Sequence, residues 1–238
     1  MITIALSHLL AAYAILAAPW LGCYSYRKAR ERIASGAPDA KVRLYRDLAV
    51  EQILTTAVVL FIWRHAQLSA ASLGLVAPRS WGWSLATLVV VVGALAWSSF
   101  RLRPRAAKIR KQLEGSLGAL LPGSHRERSW WSVISVGAGI SEELAFRGFL
   151  FYYFATYVPQ LNTLEKVLLT SLCFGLGHIY QGWRGAISTG ILGLAFAGLY
   201  VITGSLLLPI VLHAMVDLRA LLIFPPEASD PEPVGAIA

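Results

Sequence analysis

The chain has 238 residues, of which 56% are hydrophobic and only 14% charged, and its mean hydropathy is +0.59. That composition excludes an ordinary soluble domain and predicts that most of the surface faces lipid. The formal charge of +8 has the size of a nucleic-acid footprint, but no groove-entering motif accompanies it, so no nucleic-acid partner is expected.

A spanning helix needs ~20 mostly apolar residues. Such stretches begin near Ile2, Leu48, Trp81, Trp130, Leu164, Gly185 and Ser205. The expected fold is therefore all-α, a polytopic transmembrane helical bundle of about seven spans, with six and eight as the bounds. The first stretch, Ile2 to Tyr24, has no basic residue before it and Arg27, Lys28, Arg30 and Arg32 after it. That asymmetry fits a retained helix with its N-terminus outside rather than a cleaved signal peptide.

Fifteen of the twenty-one basic residues lie in two segments, 25–47 and 101–129, separated by two spans. Both are expected to be loops on one side, which the positive-inside rule makes the cytoplasm. The segment from Arg105 to Leu121 interleaves basic residues with Ala, Ile and Leu; it reads equally as an amphipathic helix on the membrane surface and as a solvated loop. In span two, Glu51 and Arg64 are placed near the ends, within reach of the interface by snorkelling. Cys23 and Cys173 sit in or beside apolar stretches and are not expected to form a disulfide or a cysteine metal site. Trp20, Trp81, Trp83, Trp130 and Trp131 fall near span ends and read as interfacial anchors. The acidic, proline-rich end of the chain, 225–238, is expected to be disordered and cytoplasmic.

The later spans differ in kind. Span four carries Glu142, Glu143 and Arg147, span five ends at His178, and span seven holds His213 and Asp217. A charge at a helix centre costs ~2.5 to 3.5 kcal/mol on insertion scales, so these groups must face one another or a watery cavity. Glu143 and Arg147 are four apart, with the acid N-terminal, and pair on one helical face, leaving Glu142 free for another task. Phe174 and His178 share the same spacing, and Gly175 and Gly177 between them allow a close helix approach that would bring the imidazole to the span-four carboxylates. His213 and Asp217 repeat it once more, so that the carboxylate orients the ring or both face one ligand. Pro209 is expected to kink span seven, either aiming His213 inward or serving packing alone. Each group has a structural reading as well: a single intramembrane His can be an interhelical hydrogen bond, and a Glu–Arg pair a clamp. One free Glu, two His and an Asp on three helices are together better explained by function.

These residues also carry a resemblance. Glu142, Glu143 and Arg147 read EExxxR, Phe174 and His178 read FxxxH, and His213 with Asp217 reads HxxxD. The pattern, over roughly 130–220, resembles the CAAX protease and bacteriocin-processing (CPBP) family of intramembrane proteases. The chain is expected to divide into N-terminal transmembrane helices with two basic cytoplasmic loops (1–129), a helical core that the resemblance implies is catalytic (130–224) and the tail (225–238). It implies a CAAX prenyl protease 2-like endopeptidase in which Glu142 and His178 position and deprotonate a water and His213 faces the oxyanion. Glu143, Arg147 and Phe174 support them. Asp217 stands where an Asn would donate to the oxyanion; an ionised Asp cannot, so Asp217 orients His213 or stays protonated.

The expected partners are the lipid bilayer and a membrane-associated peptide or protein substrate, with no cofactor. The expected setting is a bacterial inner membrane, multi-pass, with the C-terminus cytoplasmic. Two alternatives stay open. Glu142, His178, His213 and Asp217 can instead be read as ligands of a catalytic zinc, although HExxH is missing. The same groups can serve a proton-coupled transporter or a bacteriocin-immunity membrane protein, although no paired half-repeats are visible.

Overall fold

A computed structural model describes residues 2–113 and 118–226. Seven continuous helical segments follow one another, with no strand among the described residues. Helix α1 is Ile2–Ala34 and contains a π-helical turn at Tyr13–Ala17; α2 is Ala40–His65 and α3 is Trp81–Leu113. Helix α4 runs through His125–Glu143, the π-helical Leu144–Leu150 and Phe151–Tyr157. Then come α5 (Thr163–Gly177), α6 (Trp183–Thr203) and α7 (Leu207–Ile223). By length and apolarity alone, α1, α2, α3 and α6 can cross a membrane. Helix α4 falls outside that group because it carries the charges, while α5 and α7, at 15 and 17 residues, are shorter than the ~20 a full crossing takes. The protein is an integral membrane helical bundle, and side chains such as Val89 and Val90, each 70% exposed, form the lipid-facing surface.

Local signals set the helix limits. Ser124 and Glu127 form a reciprocal capping box at the start of α4, and Asn162 and Glu165 form another at α5. Each satisfies two backbone N–H groups that would otherwise be orphaned. Helix α6 stops at Gly204, whose φ of +67° is open to glycine and strained for other residues.

Polar ties draw the helix ends into two faces. On one, the Lys41 ammonium donates to the Leu121 carbonyl at 3.1 Å and lies 3.3 Å from Glu127, while Arg126 pairs with Asp39 at 3.0 Å. Arg128 donates there to the carbonyls of Leu221 (3.0 Å) and Phe224 (2.6 Å) at the end of α7. The two basic segments therefore share one face. On the other face, Arg79 caps the end of α6 through the carbonyls of Val201 and Ile202 at 2.8 and 3.0 Å. The main apolar core runs between the faces, joining Leu10 of α1 and Val59 and Ile62 of α2 to Phe146, Phe149 and Leu150 of α4 and Phe174 of α5.

Several expectations change. The basic segments are mostly helix: α1 continues to Ala34, α2 begins at Ala40 and α3 continues to Leu113. Lys and Arg are good helix formers, and a helix need not stop where its apolar stretch does. Because α2 begins early, Glu51 lies well inside it rather than at its end. Pro209 is the third residue of α7, where a backbone N–H has no intrahelical partner to lose, so it does not interrupt the helix. The basic interleaved stretch is helical over Ala106–Leu113, with Ala106, Ile109 and Leu113 packed against Leu121, Ile223 and Phe224. Its apolar side thus seals the end of α7; residues 114–117 of that stretch lie outside the described residues, as does 227–238 of the tail. Both cysteines are free thiols.

Close approach through glycine occurs at α5–α6, not between α5 and α4. A Cβ built on Gly175 would lie 2.8 Å from the Ala186 carbonyl oxygen and 3.0 Å from Gly190 Cα, whereas one on Gly177 meets nothing within 4 Å. Gly175→Ala is therefore expected to force these backbones apart and lose about 1–3 kcal/mol of stability. Gly190→Ala, whose Cβ would sit in ordinary contact at 3.7 Å, is expected to change stability by less than about 0.5 kcal/mol. Thermal unfolding of the detergent-purified variants measures both.

Candidate active site

The site is built outward from Arg147. It follows the two glutamates on α4 within the π-helical turn Leu144–Leu150, a widened geometry frequent at functional sites. Its side chain and that of Glu143 are both 0% exposed, and Nη1 donates to Glu143 Oε1 at 2.9 Å. Nη2 donates to the Gly193 carbonyl of α6 at 3.0 Å, and the guanidinium lies over the rings of Phe174 (4.3 Å) and Phe196 (5.7 Å). Residue 193 has to be small: a Cβ there would stand 3.1 Å from both Arg147 Nη2 and Phe174 Cδ1.

His213 closes the other side of Glu143. Its Nδ1 is 2.8 Å from Glu143 Oε1, so one carboxylate oxygen accepts from both the guanidinium and the imidazole. The ring is stacked on Phe196 at 5.2 Å and meets Phe174 edge-on at 5.8 Å. Helix α7 gets this near to α4 because of Gly139, where a Cβ would lie 2.7 Å from the Ile210 carbonyl oxygen. With Nδ1 donating to Glu143, Nε2 of His213 turns toward Glu142.

His178 caps α5. Its Nδ1 is 2.8 Å from the Phe174 carbonyl oxygen, which makes that nitrogen the N–H donor and leaves Nε2 of the neutral ring as an acceptor. Nε2 of His178 and Nε2 of His213 each stand 3.8 Å from Glu142 Oε2. That is too long for a direct hydrogen bond, and Glu142 Oε2 has no hydrogen-bond partner. Asp217 Oδ2 stands 3.9 Å from His213 Nε2, with the side chain 37% exposed. The His213 ring is thus oriented by Glu143 through Nδ1, while Asp217 faces the opposite nitrogen. The Asp217 backbone carbonyl accepts from Trp131 Nε1 at 3.0 Å, giving that indole a packing role beyond anchoring.

All seven residues singled out in the sequence come together here, with Phe174 touching Arg147, His178 and His213. Two contributors were not anticipated. Phe196 and Gly193 of α6 belong to no spacing pattern, and the Glu143–His213 bond joins residues 70 positions apart. Among the described residues, no three His, Cys, Asp or Glu side chains are arranged to hold a metal ion.

Glu142 and His178 open onto a cavity of about 380 Å³. Its walls come from α1, α2, α4 and α5, including Leu10, Leu21, Leu48, Glu51, Gln52 and Tyr180. Neither His213 nor Asp217 lines it. The arrangement offers an unpartnered carboxylate and an imidazole acceptor at a cavity wall, backed by a second imidazole held in a dry ionic cluster.

Over residues 125–219 the chain matches the family model described as Type II CAAX prenyl endopeptidase Rce1-like. No curated protein and no solved structure matches it.

Removing Arg147 would leave the Glu143 carboxylate buried without its cation. Arg147→Ala is therefore expected to lose about 3–5 kcal/mol of stability, read as a lowered unfolding temperature in detergent. Phe174→Ala is expected to lose a similar ~3–5 kcal/mol, because it empties the ring site under the guanidinium.

Proposed function

We propose, from the premise that residues 125–219 form an Rce1-like domain of the type II CAAX prenyl endopeptidases, that this chain hydrolyses a peptide bond of a membrane-associated substrate with a water activated by Glu142 and His178. The substrate class is a CAAX-type or other C-terminal or precursor peptide. The observation that carries this reading is Glu142, a residue of the cavity wall whose Oε2 is buried without a hydrogen-bond partner, 3.8 Å from two ring nitrogens.

A separation of 3.8 Å suits two groups that share one water. In the proposed reaction the water between Glu142 and His178 attacks the scissile carbonyl carbon, and its proton passes to this pair. The carbonyl oxygen, now an oxyanion, is met by the Nε2–H of an imidazolium His213, whose Nε2 lies just behind the cavity wall, 3.8 Å from Glu142 Oε2. The intermediate collapses as the retained proton reaches the leaving amine, which restores the carboxylate and the neutral ring. Glu143 and Arg147 hold His213 in place and take no proton. Catalysis in this scheme needs no metal.

The geometry also supports a location near one membrane surface. Leu44, Tyr26 and Leu120 extend the cavity wall toward the basic face, which the positive-inside rule assigns to the cytoplasm. That puts the N-terminus outside, the end of α7 in the cytoplasm, and cleavage on the cytoplasmic side.

In proteoliposomes, Glu142→Gln is expected to abolish peptide cleavage, and His178→Ala to reduce it about 10²–10⁴-fold, the range of a lost general base. Both variants should still insert and elute as the parent does. Asp217→Asn, which supplies an amide donor facing His213, is expected to retain cleavage. Full activity should persist after exhaustive chelation; loss on chelation with recovery on zinc addition would replace this scheme by the metal-dependent one.

A further inference from the structure

The cavity wall opposite the catalytic pair contains a carboxylate that the hydrolytic scheme does not use. Glu51 lies within α2, and its Oε1 accepts from the Tyr13 hydroxyl of α1 at 2.6 Å. Both residues line the cavity shared with Glu142 and His178. A carboxylate inside a spanning helix is expensive, and such groups usually pair with one another or with a cation. Among the described residues, Glu51 has no Lys, Arg or His within ion-pair distance.

The rest of the lining sharpens the sign. Among the described residues no Lys or Arg is part of the lining, whose ionisable side chains are Glu51, Glu142, His178 and three tyrosines; Arg30 approaches it, 5.8 Å over the ring of the lining residue Tyr26. Leu10, Leu21, Leu44 and Leu48 supply apolar wall around these ionisable side chains. A second feature singles out the same two walls. The π-helical segments Tyr13–Ala17 and Leu144–Leu150 both contribute to the lining, through Tyr13 and Ala14 on one side and Ala145 and Phe146 on the other. Segments of this kind recur at ligand sites because they redirect side chains that a regular helix would bury.

We infer that Glu51 is a specificity-determining residue: it selects peptide substrates that place a Lys or Arg side chain within an otherwise apolar stretch beside the scissile bond. The cation takes the counter-charge position at Glu51, and the flanking apolar residues occupy the leucine-lined wall. This rests on the reading of the cavity as the peptide site, and it adds a selection by charge that the hydrolytic scheme does not require.

The test uses the full chain in nanodiscs and two fluorescent dodecapeptides of Leu and Ala that differ at one central position, Lys in one and norleucine in the other. Binding is measured by anisotropy and cleavage separately. The parent is expected to bind the Lys peptide at least about tenfold more tightly than its norleucine twin. Glu51→Gln should remove that preference by weakening the Lys peptide alone, and Glu51→Lys should transfer it to a third peptide carrying Glu. Tyr13→Phe separates selection from a mere clamp: the charge remains, so the Lys preference should persist. Equal binding of the twins by the parent, or equal loss of both peptides in Glu51→Gln, overturns the inference. So does loss of the preference in Tyr13→Phe. If the Lys preference holds and depends on Glu51 while no peptide is cleaved, charge selection stands and the hydrolytic reading falls.

Discussion

A single guanidinium sealed from solvent organises the C-terminal half of this protein. Arg147 cannot be buried in a membrane bundle unless its charge is answered, and although its Nε stays without a hydrogen-bond partner, the answer draws in α4, α5, α6 and α7. Glu143 supplies the counter-charge from α4, Gly193 supplies a carbonyl from α6, and Phe174 and Phe196 supply ring faces from α5 and α6. His213 of α7 then shares the carboxylate oxygen that holds the arginine. The geometry of the site follows from this demand: once Glu143 is turned inward to Arg147 and His213, the preceding Glu142 points elsewhere, toward His178 and the cavity.

Two kinds of packing make that arrangement possible. Glycine at 139 and 175 removes the side chains that would keep α7 from α4 and α6 from α5. Aromatic rings fill the space between the charged groups, so that the cluster is dry on one side and meets the cavity only through Glu142 and His178. Charge interactions are stronger in such surroundings than in water, which is why a few side chains can hold their orientation without a wider polar network.

Much of this could be read in the chain before folding. Runs of apolar residues mark the seven helices because lipid leaves a backbone no alternative to internal hydrogen bonding. Intramembrane charges mark the site because they are too costly to keep without purpose. The pairing of Glu143 with Arg147 follows from four-residue spacing within one helix. The bond from Glu143 to His213 does not, because it spans three further helices and depends on how α7 crosses α4. Helix ends were the weakest expectation: the basic segments extend the helices beyond their apolar windows, and this moved Glu51 from the rim of α2 to its interior. Pro209 looked like a kink only while α7 was thought to begin earlier than Leu207.

The cavity is walled by two parts of the chain under different constraints. On the α4–α5 side the lining residues adjoin the ionic cluster, where Gly193, Phe174 and Phe196 all touch Arg147 and little can be exchanged. On the α1–α2 side, no hydrogen bond or ion pair among the described residues connects the lining to Glu142, Glu143, Arg147, His178 or His213. The two sides are joined instead by apolar packing, since Leu10, Val59 and Ile62 share a core with Phe146 and Phe174, so that exchange in the first two helices is bounded by volume rather than by charge.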